Sequence, residues 1–73
     1  MMTDEEFKTK LGNKLHDLRK ERDLTMHQLA VKTTAHKSTI MRIERAEINP
    51  SANLIRRIAN ALEVPVNELM EFE

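Results

Sequence analysis

Residues 25–45 read Thr-Met-His-Gln-Leu-Ala-Val-Lys-Thr-Thr-Ala-His-Lys-Ser-Thr-Ile-Met-Arg-Ile-Glu-Arg, and this stretch decides the fold. Thr25 and Gln28 have the spacing of a capping box, which starts a helix. Residues 33–36 are poor in strong helix formers, so they predict a break, and a second helix begins near Lys37. Because the break is too short for a loop, the two helices must cross steeply and leave one face of the second helix exposed.

The second helix of this pair has two contrasting faces. Ile40 and Ile43 form an apolar stripe at helical spacing, which predicts the buried side. The other side carries long or polar residues, several of them basic: Lys37, Ser38, Met41, Arg42 and Arg45. We expect this polar face to contact the ligand.

The residues before the central pair predict one long helix. Thr3 and Glu6 form another capping box, and the helix runs to about Arg22. Its expected buried stripe is Phe7, Leu11, Leu15 and Leu18. A glycine in mid-helix costs about 1 kcal/mol relative to alanine, so Gly12 predicts a close approach by another helix.

The residues after the pair predict two further helices. Ser51 is a good N-cap for a fourth helix over about 52–62. Pro65 then suits the first turn of a short fifth helix over roughly 66–71. Their expected apolar positions are Leu54, Ile55, Ile58, Ala59, Leu62, Val66, Leu69 and Met70. The sequence therefore predicts an all-α, compact five-helix domain over residues 1–73, with a helix-turn-helix formed by helices 2 and 3.

Composition excludes several classes of function. The 73 residues contain no cysteine, and no apolar run approaches the roughly 20 residues of a membrane span. Only Phe7 and Phe72 are aromatic, whereas proteins that bind single strands usually stack bases on aromatic rings. The three histidines lack metal-ligand spacing, and nothing resembles a nucleophile with its base or a glycine-rich phosphate loop. We therefore expect a cytoplasmic, non-enzymatic protein with no metal, cofactor, membrane or small-molecule partner.

The formal net charge is zero, but the charges are unevenly distributed. Residues 10–45 hold nine Lys or Arg against four acids, a balance of +5, whereas residues 1–9 and 46–73 balance at −2 and −3. A basic middle between acidic ends suits a protein that turns one face to phosphate. An ordinary solvated surface explains the same distribution.

Most of the chain, about residues 11–70, resembles the Cro and phage-repressor type helix-turn-helix family. The residues that carry the resemblance are Gly12, Leu15, Leu18, Arg19, Leu24, Thr25, Leu29, Ala30, Ile40, Ile43, Glu44, Arg45, Asn49, Pro50, Ser51, Ile58, Ala59, Ala61, Leu62, Val64 and Leu69. The segment Leu-Arg-Lys-Glu-Arg-Asp-Leu-Thr at 18–25 also looks, more weakly, like restriction–modification controller proteins. Three positions depart from the family pattern: Met26 stands where glutamine is usual, and Thr34 and Ala46 stand where glycine is usual.

The resemblance implies a set of site residues. Base-reading positions at the start and outer face of the third helix fall on His36, Lys37, Ser38, Met41 and Arg42. Phosphate contacts at helix N-termini and flanking groups fall on Thr25, His27, Arg45, Asn49 and Ser51. Arg19 and Glu44 match a salt bridge that ties the first helix to the recognition helix. A solvated helix face and plain N-caps are the alternatives for the first two sets.

The expected function is that of a sequence-specific transcriptional regulator that reads double-stranded DNA at an inverted-repeat operator. Since one recognition helix reads only a few base pairs, the chain must act as a homodimer. We expect the twofold interface at Val66, Leu69, Met70 and Phe72, although Val66 and Leu69 alternatively close the monomer core. The rival class is an antitoxin-like or adaptor module that binds a protein, with DNA binding secondary.

Overall fold

The computed structural model describes residues 1–71, and these fold into five α-helices without a β-strand. The helices are α1 (Asp4–Glu21), α2 (Met26–Thr33), α3 (Lys37–Glu44), α4 (Ala52–Leu62) and α5 (Val66–Met70). This confirms the predicted all-α, five-helix architecture. None of the helices within residues 1–71 combines the length and the apolar character that crossing a membrane requires.

Helix starts follow from local side-chain chemistry. Thr3 and Thr25 each form a complete capping box, in which the threonine accepts from the third helical N–H and a Glu or Gln side chain accepts in return. The Ser51 hydroxyl accepts a bond from the Leu54 N–H at 3.1 Å and caps α4. All three predicted caps are therefore confirmed.

The helix ends place residues other than glycine in the left-handed conformation. The left-handed residues that close α1 to α4 are Asp23, Thr34, Ala46 and Glu63, with φ between 54° and 63°. After each of them, the next N–H bonds a carbonyl five residues back, as in a Schellman motif; the Val64 N–H, for example, bonds the Ala59 carbonyl at 3.0 Å. Glycine usually occupies this position because a Cβ is costly there. The chain uses its single glycine, Gly12, elsewhere.

The core lies where all five helices meet. Its buried members are Leu11, Leu15, Leu18, Leu29, Ala30, Ile40, Ile43, Leu54, Ile55, Ile58, Ala59, Leu62, Val64 and Leu69. Phe7 departs from the predicted buried stripe, because it lies half-buried at the edge of this cluster. The apolar stripes predicted for the other helices are the faces that pack together, except that Val66 of α5 is exposed.

Candidate nucleic-acid interface

The turn between α2 and α3 is held by backbone bonds and one buried hydroxyl. Thr33 is 1% exposed, and its hydroxyl donates to the carbonyls of Leu29 and Ala30 at 3.0 and 3.1 Å. Thr34 adopts the left-handed conformation at φ 57° and ψ 44°, as its place in the pattern predicts. The Ala35 N–H then bonds the Ala30 carbonyl at 2.9 Å, which closes the turn. Two helices are thus joined at a fixed angle without a flexible loop.

Helix α3 buries one side and exposes the other. Ile40 and Ile43 are 0% and 1% exposed and anchor the helix in the core. Four of the predicted base-reading residues, His36, Lys37, Ser38 and Arg42, are exposed, and Met41 is half-buried beside them. His36 is the N-cap residue of α3 and makes no side-chain capping bond, so the first turn presents its free N–H groups to the outside.

Gly12 fixes the distance between α1 and the end of α3. A Cβ placed on Gly12 would lie 2.6 Å from the carbonyl oxygen of Ile43 and 3.0 Å from that of Glu44. Both atoms belong to backbone, so no side-chain rotation could relieve the contact. The predicted close approach of another helix is confirmed, and that helix is α3.

An ion pair between Arg19 and Glu44 also joins α1 to α3. The Arg19 Nε donates to Glu44 Oε2 at 2.6 Å, and Nη2 donates to Oε1 at 3.0 Å, so the contact is bidentate. Arg19 also donates from Nη1 to the Leu24 carbonyl at 2.7 Å, which adds the loop before α2 to the network. The hydrogen bond to Glu44 raises the pKa of Arg19 above its ordinary value. The predicted pair is present and is nearly fully buried, with side-chain exposures of 7% and 5%.

Sequence reasoning missed one member of this network. His16 Nδ1 lies 3.0 Å from Glu44 Oε1 and 3.4 Å from Arg19 Nη2. His16 precedes Arg19 by three residues, so the two side chains share one face of α1. That spacing was the available signal, but the sequence analysis weighed His16 only as one of three histidines without metal-ligand spacing.

The residues predicted to contact phosphate all lie at the surface. Thr25, His27, Arg45, Asn49 and Ser51 are all exposed. Two of them stand at helix starts, since Thr25 caps α2 and Ser51 caps α4. Capping uses the hydroxyl oxygen as an acceptor and leaves its hydrogen free to donate, so the two roles are compatible.

A model of the family described as "Helix-turn-helix domain" matches residues 10–72 of the chain. The chain belongs to the helix-turn-helix domain family. Its sequence is 37% identical over 60 residues to the immunity repressor protein of Bacillus phage phi105, across 82% of this chain and 42% of the repressor. This helix-turn-helix chain spans 42–43% of the length of the curated relatives that it matches.

Solved structures agree with this assignment. An HTH_3 family transcriptional regulator from Vibrio cholerae superposes with a TM-score of 0.88 at 34% identity, covering 92% of this chain and 38% of that one. The restriction–modification controller protein C.AhdI from Aeromonas hydrophila superposes with a TM-score of 0.84 at 31% identity. That superposition covers 85% of this chain and 94% of the controller protein. The two resemblances predicted from sequence are thus both represented, the phage repressor among the sequence relatives and the controller protein among the solved structures.

Met26 changes the start of the second helix of this helix-turn-helix. Met26 is half-buried and packs against the core, so it does not offer an amide to a ligand. Gln28 carries an amide nearby, but its Oε1 accepts the Thr25 N–H at 2.8 Å as part of the capping box. Met26 therefore lacks the side-chain amide that the family pattern usually places at the start of this helix.

The residues predicted for a dimer interface lie in different environments. Val66 is 42% exposed, and Met70 is half-buried at the edge of the core. Leu69 is 1% exposed and closes the monomer core, which is the alternative that the sequence left open for it. Phe72 lies outside the described residues 1–71.

Proposed function

We propose that this chain is a sequence-specific, double-stranded DNA-binding transcriptional regulator that places α3 in the major groove. One observation carries the proposal: α3 exposes Lys37, Ser38 and Arg42 opposite Ile40 and Ile43, which are buried. An α-helix fits the major groove of B-DNA, and only its outward face can reach base edges. The names of the relatives, a repressor and transcriptional regulators, support the same function.

The exposed side chains suit particular base edges. Lys37 and Arg42 can donate to the O6 and N7 atoms of guanine, and Ser38 can pair with several bases. Met41 can touch a thymine methyl group, and His36 stands at the end of the helix that enters the groove. These five side chains form the base-reading set of the proposal.

Contacts to phosphate would position α3 rather than specify sequence. The starts of α2 and α4 carry free N–H groups and hydroxyls at Thr25 and Ser51, and such helix starts favour anions. His27, Arg45 and Asn49 are exposed polar neighbours that can add further contacts. The surplus of positive charge in residues 10–45 favours the same ligand.

A homodimer on an inverted repeat completes the proposal. One α3 would read only a few base pairs, and a second copy doubles the site and therefore its specificity. Val66 and Met70, at the surface of α5, are the apolar side chains proposed for the interface, and Phe72 is proposed with them. No catalytic step is assigned to the chain.

Selection of bound duplexes from a random DNA pool tests this function. The proposal predicts enrichment of one sequence with twofold symmetry and half-sites centred about 10–10.5 base pairs apart. A variant with Lys37→Ala and Arg42→Ala should enrich a weaker or different consensus under the same conditions. A pool that stays random with the intact protein would contradict the proposal.

A further inference from the structure

Thr39 on α3 carries a hydroxyl that its own helix does not use. A threonine hydroxyl in a helix commonly bonds the carbonyl three or four residues back, and Thr33 does so with the carbonyls of Leu29 and Ala30 at 3.0 and 3.1 Å. Thr39 is half-buried, and its hydroxyl has no hydrogen-bond partner within residues 1–71 and is not fully buried. The two threonines thus carry the same group in different states.

The position of Thr39 in α3 explains why its hydroxyl is free. Thr39 is the third residue of the helix, so Ala35, four residues back, lies before the helix begins. Three residues back, the His36 carbonyl already accepts the N–H groups of Thr39 and Ile40 at 3.0 and 3.3 Å. The hydroxyl is therefore available to an acceptor outside the chain.

Thr39 lies at one edge of the exposed face of α3. It precedes the exposed Arg42 by three residues and the buried Ile43 by four, so it stands between them on the helix surface. The other edge carries Glu44, which is held by Arg19 of α1. Thr39 therefore occupies the edge of α3 that faces away from α1.

A helix that reads base edges also meets the walls of the groove. An α-helix with its side chains is about 10–12 Å wide, and the major groove is about 12 Å wide. When Ser38 and Arg42 face the base edges, the edge that carries Thr39 faces a sugar–phosphate wall. Phosphate oxygens accept hydrogen bonds from threonine hydroxyls, so this wall supplies the acceptor that α3 does not.

We propose that the Thr39 hydroxyl donates to a backbone phosphate and so fixes how α3 sits in the groove. This inference rests on the proposed function. It adds a residue that belongs neither to the base-reading set nor to the phosphate contacts proposed above. Because a phosphate contact carries no sequence information directly, the hydroxyl adds affinity without changing base preference.

Substitutions that exchange only the hydroxyl or only the methyl group test the contact. Thr39→Val has the same shape without the hydroxyl and should weaken operator binding roughly three- to tenfold, with the same factor on operators that carry one changed base pair. Thr39→Ser keeps the hydroxyl and should bind within about twofold of the intact protein. Since the hydroxyl carries no charge, the salt dependence of binding should not change.

Replacing one operator phosphate at a time by an uncharged methylphosphonate locates the contact. At the phosphate that Thr39 contacts, the replacement should cost the intact protein more affinity than it costs Thr39→Val, because the variant has already lost the bond. At other phosphates the two proteins should lose equal factors. A scan in which no phosphate distinguishes the two proteins would overturn the proposal.

Control variants define the remaining outcomes. Thr33→Val removes the same group from a residue that uses it inside α2, so the affinity of the folded protein should not change. Equal weakening by Thr33→Val and Thr39→Val, or by Thr39→Ser and Thr39→Val, would overturn the proposal. Loss of helix content in both Thr39→Val and Thr39→Ala would assign Thr39 to the fold and also overturn it.

The same measurements separate this proposal from the proposed function. An intact protein that selects no duplex would contradict the proposed function itself. An intact protein that selects an operator which Thr39→Val binds equally tightly would contradict the Thr39 contact alone.

Discussion

The Arg19 guanidinium donates two hydrogen bonds of 2.6 and 3.0 Å to the Glu44 carboxylate, and these bonds join the last turn of α1 to the last residue of α3. Glu44 therefore connects the proposed DNA-reading helix to the scaffold at the end away from Lys37. Ile40 and Ile43 hold the other side of the helix in the core. The position of the exposed face is thus set by contacts on the opposite side of α3.

Removing one member of this pair should be costly. Glu44→Ala leaves Arg19 charged, buried and without its carboxylate, so we expect the free energy of unfolding to fall by about 3–5 kcal/mol. Replacing both residues, with Arg19→Met and Glu44→Leu, removes the unmatched charge and should cost clearly less. Urea denaturation measures both variants, and a double variant that is less stable than Glu44→Ala would contradict this account of the pair.

Gly12→Ala should destabilise the protein although alanine is the better helix former. The new Cβ would lie 2.6 Å from the Ile43 carbonyl oxygen, so α1 and α3 must move apart. We expect a net loss of about 1–3 kcal/mol, the usual cost of overpacking. Asn13→Ala, at an exposed position of the same helix, is the matched control and should stabilise slightly. Equal thermal midpoints for the two variants would show that the helices separate freely.

Thr34→Gly should stabilise the protein. Thr34 has φ 57° and is exposed, and a side chain in that conformation costs roughly 1–2 kcal/mol. Part of the gain is lost because glycine is freer in the unfolded chain, so a net gain of about 1 kcal/mol is expected. Lys32→Gly, two residues earlier and still helical, should instead lose about 1 kcal/mol. The hypothesis fails if thermal unfolding shows both glycine variants destabilised.

Lys37→Ala and Arg42→Ala should each relax base preference at one position of every half-site. The expected loss on the preferred operator is about 1–3 kcal/mol for each good contact, with little change on duplexes that already lack the preferred base. Lys20→Ala removes an exposed charge on α1 and should affect all sequences alike and only slightly. A uniform loss on every duplex with Lys37→Ala or Arg42→Ala would reassign that residue to phosphate.

Helix starts and the central turn could be predicted from the sequence because each depends on neighbouring residues. Thr25 and Gln28 form their capping box across three residues, and the break at Thr33 and Thr34 follows from local preferences. The helix ends gave a weaker signal, since Asp23 and Glu63 occupy left-handed positions without being glycine. There, the N–H groups of Leu24 and Val64 bond carbonyls five residues back and hold the helix end in place of a glycine signal.

Contacts between distant residues could be predicted only where the family pattern supplied them. Arg19 and Glu44 were paired through the resemblance, whereas His16 joins the same carboxylate across 28 residues and was missed. Arg22 likewise donates to the Leu62 carbonyl at 2.6 Å and stabilises the end of α4, with no local signal for that contact. The division of α5 into buried Leu69 and exposed Val66 also depends on which face meets the core, and a five-residue helix carries too short a pattern to decide it.

The central claim is that α3 reads base edges in duplex DNA. The most direct test measures the affinity of the intact protein for its selected operator and for a scrambled duplex over a range of salt concentrations. The account predicts that the logarithm of each binding constant falls linearly with the logarithm of the salt concentration, because phosphate contacts release counterions. It also predicts that the operator binds at least about 1,000-fold more tightly than the scrambled duplex at physiological salt. Equal affinities for the two duplexes across the salt range would contradict the claim.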